Sequence, residues 1–71
     1  MDWNAVVGRN VRRRREALGL SQEQLAHDAG VAVRLLGAIE RGQQNTTVEA
    51  LGKLASALGC HPEIFWRDDR G

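Results

Sequence analysis

The side chains of this sequence that could take part in chemistry include few nucleophiles and many hydrogen-bond donors. Ser21, Ser56 and Cys60 are potential nucleophiles, but none of them has an evident base and orienting group to activate it. Cys60, His61 and His27 are too few to form a zinc site. We therefore expect neither an enzyme nor a bound metal or cofactor.

Cations and side-chain amides, by contrast, are concentrated in a few short stretches. Five of the ten basic residues lie between Arg9 and Arg15, although the formal net charge is only +1. A near-neutral total charge therefore does not exclude a surface that binds a polyanion. The other candidate donors are Gln22, Arg34, Arg41, Gln43, Gln44 and Asn45.

Hydrophobic periodicity predicts five short helices and no strand. Trp3, Val7, Val11, Arg15 and Leu18 recur at spacings of three and four residues, which places them on one face of a first helix. The fourth helix has a similar apolar stripe, formed by Val48, Leu51, Leu54, Ala55 and Leu58. The four later helices are predicted at Gln22–Ala29, at 33–41, from a cap at Thr46 or Thr47 to about Leu58, and at 61–66.

Capping residues mark the ends of these helices. Asp2 or Asn4 is expected to cap the first helix, and Gly19 to end it. Ser21 and Gln24 have the spacing of a capping box at the start of the second helix.

Arg15 lies on the inward face of the first helix, whereas Arg12, Arg13 and Arg14 fan outward because successive residues are about 100° apart. A buried unpaired charge is costly, so Arg15 must have a partner. The outward arginines either attract a polyanion at long range or form an ordinary solvated helix surface.

Several short motifs follow one another in a specific order. They are Arg15-x-x-Leu-Gly-Leu-Ser-Gln22, Gln24-Leu-Ala26, Gly30-Val31, Ile39-Glu-Arg-Gly42, Leu51-x-x-Leu-Ala55, Leu58-Gly59 and Phe65. In these motifs the chain resembles the lambda-repressor-like, Cro-type helix-turn-helix transcriptional regulators of bacteria and phages, over about residues 7–66. The resemblance implies an all-α fold, a compact bundle of five short helices with the helix-turn-helix at helices two and three. It also implies a single DNA-binding domain over residues 1–71, with a frayed tail at 67–71.

The resemblance implies roles for individual residues. Helix three would be the recognition helix, entering the major groove of DNA with its N-terminal half. Arg15 would form a structural ion pair with Glu40 of that helix, and Gln22 would bind a backbone phosphate at the start of helix two. The residues expected to face DNA are Gln22, Val33, Arg34, Leu35, Gly37, Ala38, Arg41, Gln43, Gln44 and Asn45.

The outer face of helix three departs from the family's pattern because it is unusually apolar. Only Arg34 could form a bidentate bond with guanine, while Val33, Ala38 and Leu35 could contact thymine methyl groups. Gly37 either permits close approach of the backbone or weakens the helix. Two functions therefore stay open: sequence-specific DNA binding, and a protein-interaction module, antitoxin-like or adaptor, that uses this apolar face and binds DNA only weakly.

Proteins of the resembling family usually bind a pseudo-palindromic operator as homodimers, so we expect a homodimer here, acting for example as a repressor. Phe65 is expected in the core, whereas Trp66 either joins the dimer interface or covers the monomer core with Trp3. The expected dimer interface comprises Cys60, Ile64, Trp66 and Arg67.

The single cysteine excludes an intramolecular disulfide, and the sequence has no apolar run of membrane-spanning length and no signal-peptide pattern. We therefore expect a cytoplasmic protein. In so short a chain, regulation would depend on where the dimer binds DNA or on contact with RNA polymerase.

Overall fold

The computed structural model describes residues 2–43 and 46–68, and within these ranges the chain forms helices and no strand. The predicted all-α fold is thus confirmed. The elements are α1 (Trp3–Ala17), α2 (Gln22–Ala29), α3 (Val33–Glu40), α4 (Val48–Leu58) and a 3₁₀ helix (Pro62–Trp66).

The prediction of a fifth α-helix was wrong, because the last element is a 3₁₀ helix. The N–H of Ile64 donates to the carbonyl oxygen of His61 at 3.1 Å, and the N–H of Arg67 donates to that of Ile64 at 3.3 Å. These bonds span three residues, as in a 3₁₀ helix, which suits a five-residue segment that begins at a proline.

The predicted helix caps are present. The carboxylate of Asp2 accepts hydrogen bonds from the backbone N–H groups of Asn4 and Ala5 at the start of α1. Ser21 and Gln24 form a reciprocal capping box at α2, with bonds of 2.8 and 3.0 Å. Such caps satisfy N–H groups that have no partner within the helix, so the boundaries of α1 and α2 follow from local chemistry.

The core lies where α1, α2, α3 and α4 meet, with Phe65 of the 3₁₀ helix fully buried beside them, as predicted. Three predicted core residues are instead exposed: Trp3, Leu18 and Val48. Trp3 and Val48 are the first residues of their helices, and Leu18 follows the last residue of α1, so all three lie at helix ends. The buried hydrophobic cluster consists of Val7, Val11, Leu25, Ala26, Ala29, Leu36, Ile39, Leu51, Leu54, Ala55, Leu58 and Phe65.

Gly8 marks the point at which α1 crosses α3. A Cβ atom added there would lie 2.9 Å from the carbonyl oxygen of Glu40 and closer still to that of Ile39. The two helix backbones therefore touch directly, which only glycine permits. Arg15 lies two helical turns further along α1. Because the helices approach so closely, its side chain reaches Glu40 at the C-terminal end of α3.

Asn10 is a buried polar residue on the opposite side of α1. Its amide nitrogen donates to the carbonyl oxygens of Phe65 at 2.8 Å and of Arg67 at 2.7 Å. These two bonds fasten the 3₁₀ helix to α1.

None of the helices in the described ranges combines the length and hydrophobicity that a membrane crossing requires.

Candidate nucleic-acid interface

The unit formed by α2, a tight turn and α3 has one buried and one exposed side. Gly30 adopts a left-handed conformation, with φ of 72°, and the N–H of Val31 bonds back to the carbonyl oxygen of Ala26 at 3.0 Å. Leu36 and Ile39 bury the inner side of α3 in the core. The opposite side of α3 is left to solvent, which is the arrangement of a helix-turn-helix.

On the outer side of α3, Arg34 and Val33 are exposed, Val33 to 41%, whereas Leu35 and Ala38 are half-buried. Leu35 packs against the edge of the core, so it contributes less apolar surface than expected. Ala32 precedes the helix and has no side-chain oxygen to cap it. Arg34 is therefore the one cationic side chain that the helix Val33–Glu40 itself carries.

Gly37 was expected to face outward, but it is buried. The guanidinium of Arg41, one helical turn further on, covers it: Nη1 of Arg41 lies 3.1 Å from where a Cβ of residue 37 would stand. Gln22 closes the other side, with its Oε1 3.9 Å from the same point. The i, i+4 spacing of Gly37 and Arg41 was the only signal in the sequence for this contact.

Arg15 and Glu40 form a bidentate pair beneath this surface. The Nε of Arg15 donates to Oε2 of Glu40 at 2.7 Å, and Nη2 donates to Oε1 at 3.0 Å. The two side chains are only 11% and 3% exposed, respectively. The hydrogen bonds that Arg15 donates to Glu40 raise the pKa of the Arg15 guanidinium above its ordinary value, so Arg15 stays protonated at physiological pH.

Two further contacts extend this pair into a network. Nη1 of Arg15 donates to the carbonyl oxygen of Leu20 at 2.8 Å, just before the cap of α2. The amide nitrogen of Gln22 donates to Oε1 of Glu40 at 3.0 Å. The network therefore joins α1, the start of α2 and the end of α3, and it fixes the orientation of the helix-turn-helix.

Gln22, the expected phosphate ligand, thus has part of its donor capacity engaged by Glu40. A side-chain amide carries two N–H groups, so one remains for an outside acceptor. The first backbone N–H groups of α2 also lack partners within the helix, and the helix dipole favours an anion there. Since Ser21 already accepts the N–H of Gln24, the donors at the start of α2 are the backbone N–H groups of Gln22 and Glu23 and one amide N–H of Gln22.

The loop after α3 carries the second group of expected donors. Nε of Arg41 donates to Oε1 of Gln43 at 2.9 Å, and both side chains are exposed. Gln44 and Asn45 lie outside the described residues.

The arginines of α1 differ in their environment. Arg12 forms an exposed pair with Glu16 at 3.2 Å, and Arg9 lies 3.6 Å from the carboxylate of Asp68. An exposed pair such as Arg12–Glu16 contributes about 0–1 kcal/mol, so it matters little for stability. Both pairs do reduce the local positive charge that α1 offers to a polyanion.

The C-terminal surface combines apolar and cationic groups. Trp66 is 41% exposed, Ile64 and Cys60 are half-buried, and Arg67 is exposed. Ile64 and Trp66 belong to the 3₁₀ helix, which Cys60 precedes and Arg67 follows.

Comparison with known proteins agrees with this description. The helix-turn-helix family HTH_3 matches residues 11–65. An uncharacterized HTH-type transcriptional regulator of Sinorhizobium fredii, y4dJ, is 42% identical over 70 residues, which are 97% of this chain and 91% of the relative. Control protein C.SmaI of Serratia marcescens is 41% identical over 68 residues, covering 94% of this chain and 81% of that protein.

A solved structure is also similar. The restriction-modification controller protein C.AhdI from Aeromonas hydrophila superposes with a TM-score of 0.85 at 39% identity, covering 87% of this chain and 94% of that one. The chain therefore belongs to the helix-turn-helix family, which consists of DNA-binding transcriptional regulators.

Proposed function

We propose that this regulator binds a pseudo-palindromic DNA site as a homodimer, with α3 in the major groove of each half-site. The observation that carries the proposal is the outer side of α3. It is free of the protein core, begins with the exposed Val33 and Arg34, and is flanked by donors at the start of α2 and after α3. Helices of a helix-turn-helix dock with their N-terminal residues at the base edges, where Arg34 lies.

Each contact would have a distinct task. Arg34 would donate two hydrogen bonds to guanine, a contact worth about 1–3 kcal/mol of discrimination. Val33 and Ala38 would meet thymine methyl groups. Gln22, Arg41 and Gln43, with Gln44 and Asn45, would bind backbone phosphates and so supply affinity without sequence preference.

We propose that the dimer forms through Cys60, Ile64, Trp66 and Arg67. The exposed ring of Trp66 beside the partly covered Ile64 provides an apolar centre for such an interface. A two-fold dimer would place the two α3 helices about 34 Å apart, one turn of B-DNA. The exposure of both Trp3 and Trp66 supports this role over a Trp66 that merely covers the monomer core.

The alternative function, protein binding through an apolar α3, has less surface than the sequence indicated. Leu35 packs partly against the core and Gly37 lies under Arg41, which leaves mainly Val33 as an exposed apolar side chain. We therefore favour DNA as the ligand of this surface.

Selection from a random-sequence duplex library tests the proposal. We expect enrichment of a two-fold symmetric sequence whose half-sites are centred about one helical turn apart. Recovery of no symmetric sequence would refute the proposal. Placing the selected site at a reporter promoter would then distinguish repression from activation, a first test of a controller role like that named for C.SmaI and C.AhdI.

A further inference from the structure

The Arg41 side chain lies over the residue one helical turn before it. Residues four apart share one helix face, so Arg41 lies one turn beyond Gly37. Instead of extending away from the helix, its guanidinium folds back over Gly37. Its Nη1 and Cζ atoms lie 3.1 and 3.9 Å from the point that a Cβ of residue 37 would occupy.

Two neighbours surround the folded-back guanidinium. On one side, Nε donates to Oε1 of Gln43 at 2.9 Å, which leaves the two terminal nitrogens available. On the other side lies Gln22, whose Oε1 is 3.9 Å from the same Cβ point and whose amide nitrogen is bound to Glu40. The Arg41 cation and the Gln22 side chain at the start of α2 therefore both border the space beside Gly37.

We propose that Gly37 is a positioning residue that lets the Arg41 guanidinium lie beside the start of α2, where the two together bind one DNA phosphate. This inference rests on the proposed DNA binding and adds to it the reason for a glycine in the reading helix. A Cβ at residue 37 would stand closer to Nη1 than ordinary van der Waals contact, and it would push the guanidinium a few tenths of an ångström out of this position.

The chemistry favours a phosphate as the shared ligand. A guanidinium binds phosphate oxygens through paired N–H groups, and backbone N–H groups at a helix start bind the same anion. The C-terminal end of a reading helix lies near the DNA backbone, whereas its N-terminal residues reach the base edges. Arg34 and Arg41 would therefore divide the work, with Arg34 at the bases and Arg41 at the backbone.

A double-mutant cycle tests the inference. Binding of wild type, Gly37→Ala, Arg41→Ala and the double variant to a fluorescent mixed-sequence duplex would be measured by anisotropy over a range of salt concentrations. Loss of one phosphate contact lowers the salt slope by about 0.9, which corresponds to roughly eightfold weaker binding near 0.1 M salt. For Arg41→Ala we expect roughly eightfold weaker DNA binding and a salt slope lower by about 0.9. For Gly37→Ala we expect about two- to eightfold weaker DNA binding and a reduced salt slope.

The double variant provides the decisive comparison. If Gly37 acts through Arg41, adding Gly37→Ala to the Arg41→Ala variant changes its DNA affinity by less than about twofold. The reason is that the phosphate contact of Arg41 is already lost in that variant. If both variants reduce affinity independently, the added methyl group obstructs the DNA itself, and the inference is wrong. An unchanged affinity of Gly37→Ala in the wild-type background would also overturn it.

Controls separate this outcome from other failures. Gly52→Ala makes the same chemical change in α4, where a Cβ meets no atom within 4 Å, and should leave DNA affinity unchanged. Urea unfolding should show Gly37→Ala to be folded, since alanine is the better helix former. If wild type itself fails to bind the duplex, the proposed function is refuted rather than the role of Gly37.

Discussion

The crossing of α1 and α3 at Gly8 allows a test of how closely these two helices pack. Substituting Gly8 by alanine places a Cβ 2.9 Å from the carbonyl oxygen of Glu40 and closer still to that of Ile39. Both obstacles are backbone atoms of a helix, so no side-chain rotation can relieve the contact. The two helices must move apart.

The expected loss follows from two opposing terms. Overpacking a well-packed site costs about 1–3 kcal/mol, and two backbone clashes place Gly8→Ala at the upper end. Replacing glycine by alanine inside a helix returns about 1 kcal/mol. We therefore expect the free energy of unfolding to fall by about 2 kcal/mol, of a total of roughly 4–11 kcal/mol for a domain of this size.

Gly52→Ala is the matched control, since a Cβ at this position of α4 meets no atom within 4 Å. It should raise the free energy of unfolding by up to about 1 kcal/mol through helix propensity alone. The same chemical change should thus have opposite signs at the two sites.

Urea unfolding followed by far-ultraviolet circular dichroism would measure both variants at one protein concentration, because dimerisation contributes to stability. With an m-value near ~1 kcal/mol/M, Gly8→Ala should lower the midpoint by about 2 M. A midpoint equal to or above that of wild type would refute the close crossing of α1 and α3.

The remaining predictions concern the network and the surface. Glu40→Leu should lower the free energy of unfolding by about 3–5 kcal/mol because it leaves the Arg15 charge buried, and the double variant with Arg15→Met should be more stable than the two losses together imply. Calorimetry would measure both. Arg34→Ala should relax preference at one base pair by about 1–3 kcal/mol in a competition assay across half-site variants. Gln22→Ala should weaken binding to all duplexes about equally and leave the salt slope nearly unchanged, because a neutral amide neutralises no phosphate charge. Trp66→Ala should shift the protein towards monomer in analytical ultracentrifugation.

Distinct outcomes would contradict these predictions. Strict additivity of the Arg15 and Glu40 variants would mean that the buried pair is not coupled. A uniform loss of affinity on Arg34→Ala would make that residue a phosphate ligand. A dimer that persists with full strength in Trp66→Ala would move the interface elsewhere. Ser56→Ala, an exposed change on α4, serves as the common control.

Local chemistry explains why much of this fold could be predicted from the sequence. The capping box of Ser21 and Gln24, the left-handed glycines and the periodic apolar residues act within one or two turns of chain. The identity of the inner residues Leu36 and Ile39 follows from the same periodicity. The demand that Arg15 have a partner follows from the cost of a buried charge, which any fold must meet.

The misjudged residues depended on neighbours that are distant in sequence. Trp3, Leu18 and Val48 satisfy the apolar pattern, but they lie at helix ends where no other element covers them. Asn10 looks like a surface residue, yet it is buried because two carbonyl oxygens near residue 66 accept its amide hydrogens.

By itself, then, the sequence determined that the chain is helical, which residues cap α1 and α2, and which motifs place a helix-turn-helix between Ser21 and Gly42. Only the tertiary structure decided what the two glycines do. At Gly8 the backbones of α1 and α3 come into direct contact. At Gly37 the missing side chain leaves space that the Arg41 guanidinium covers. Glycine has no side chain, so the sequence around it does not show which atoms will lie beside it. Its role follows from the neighbouring atoms in the folded structure.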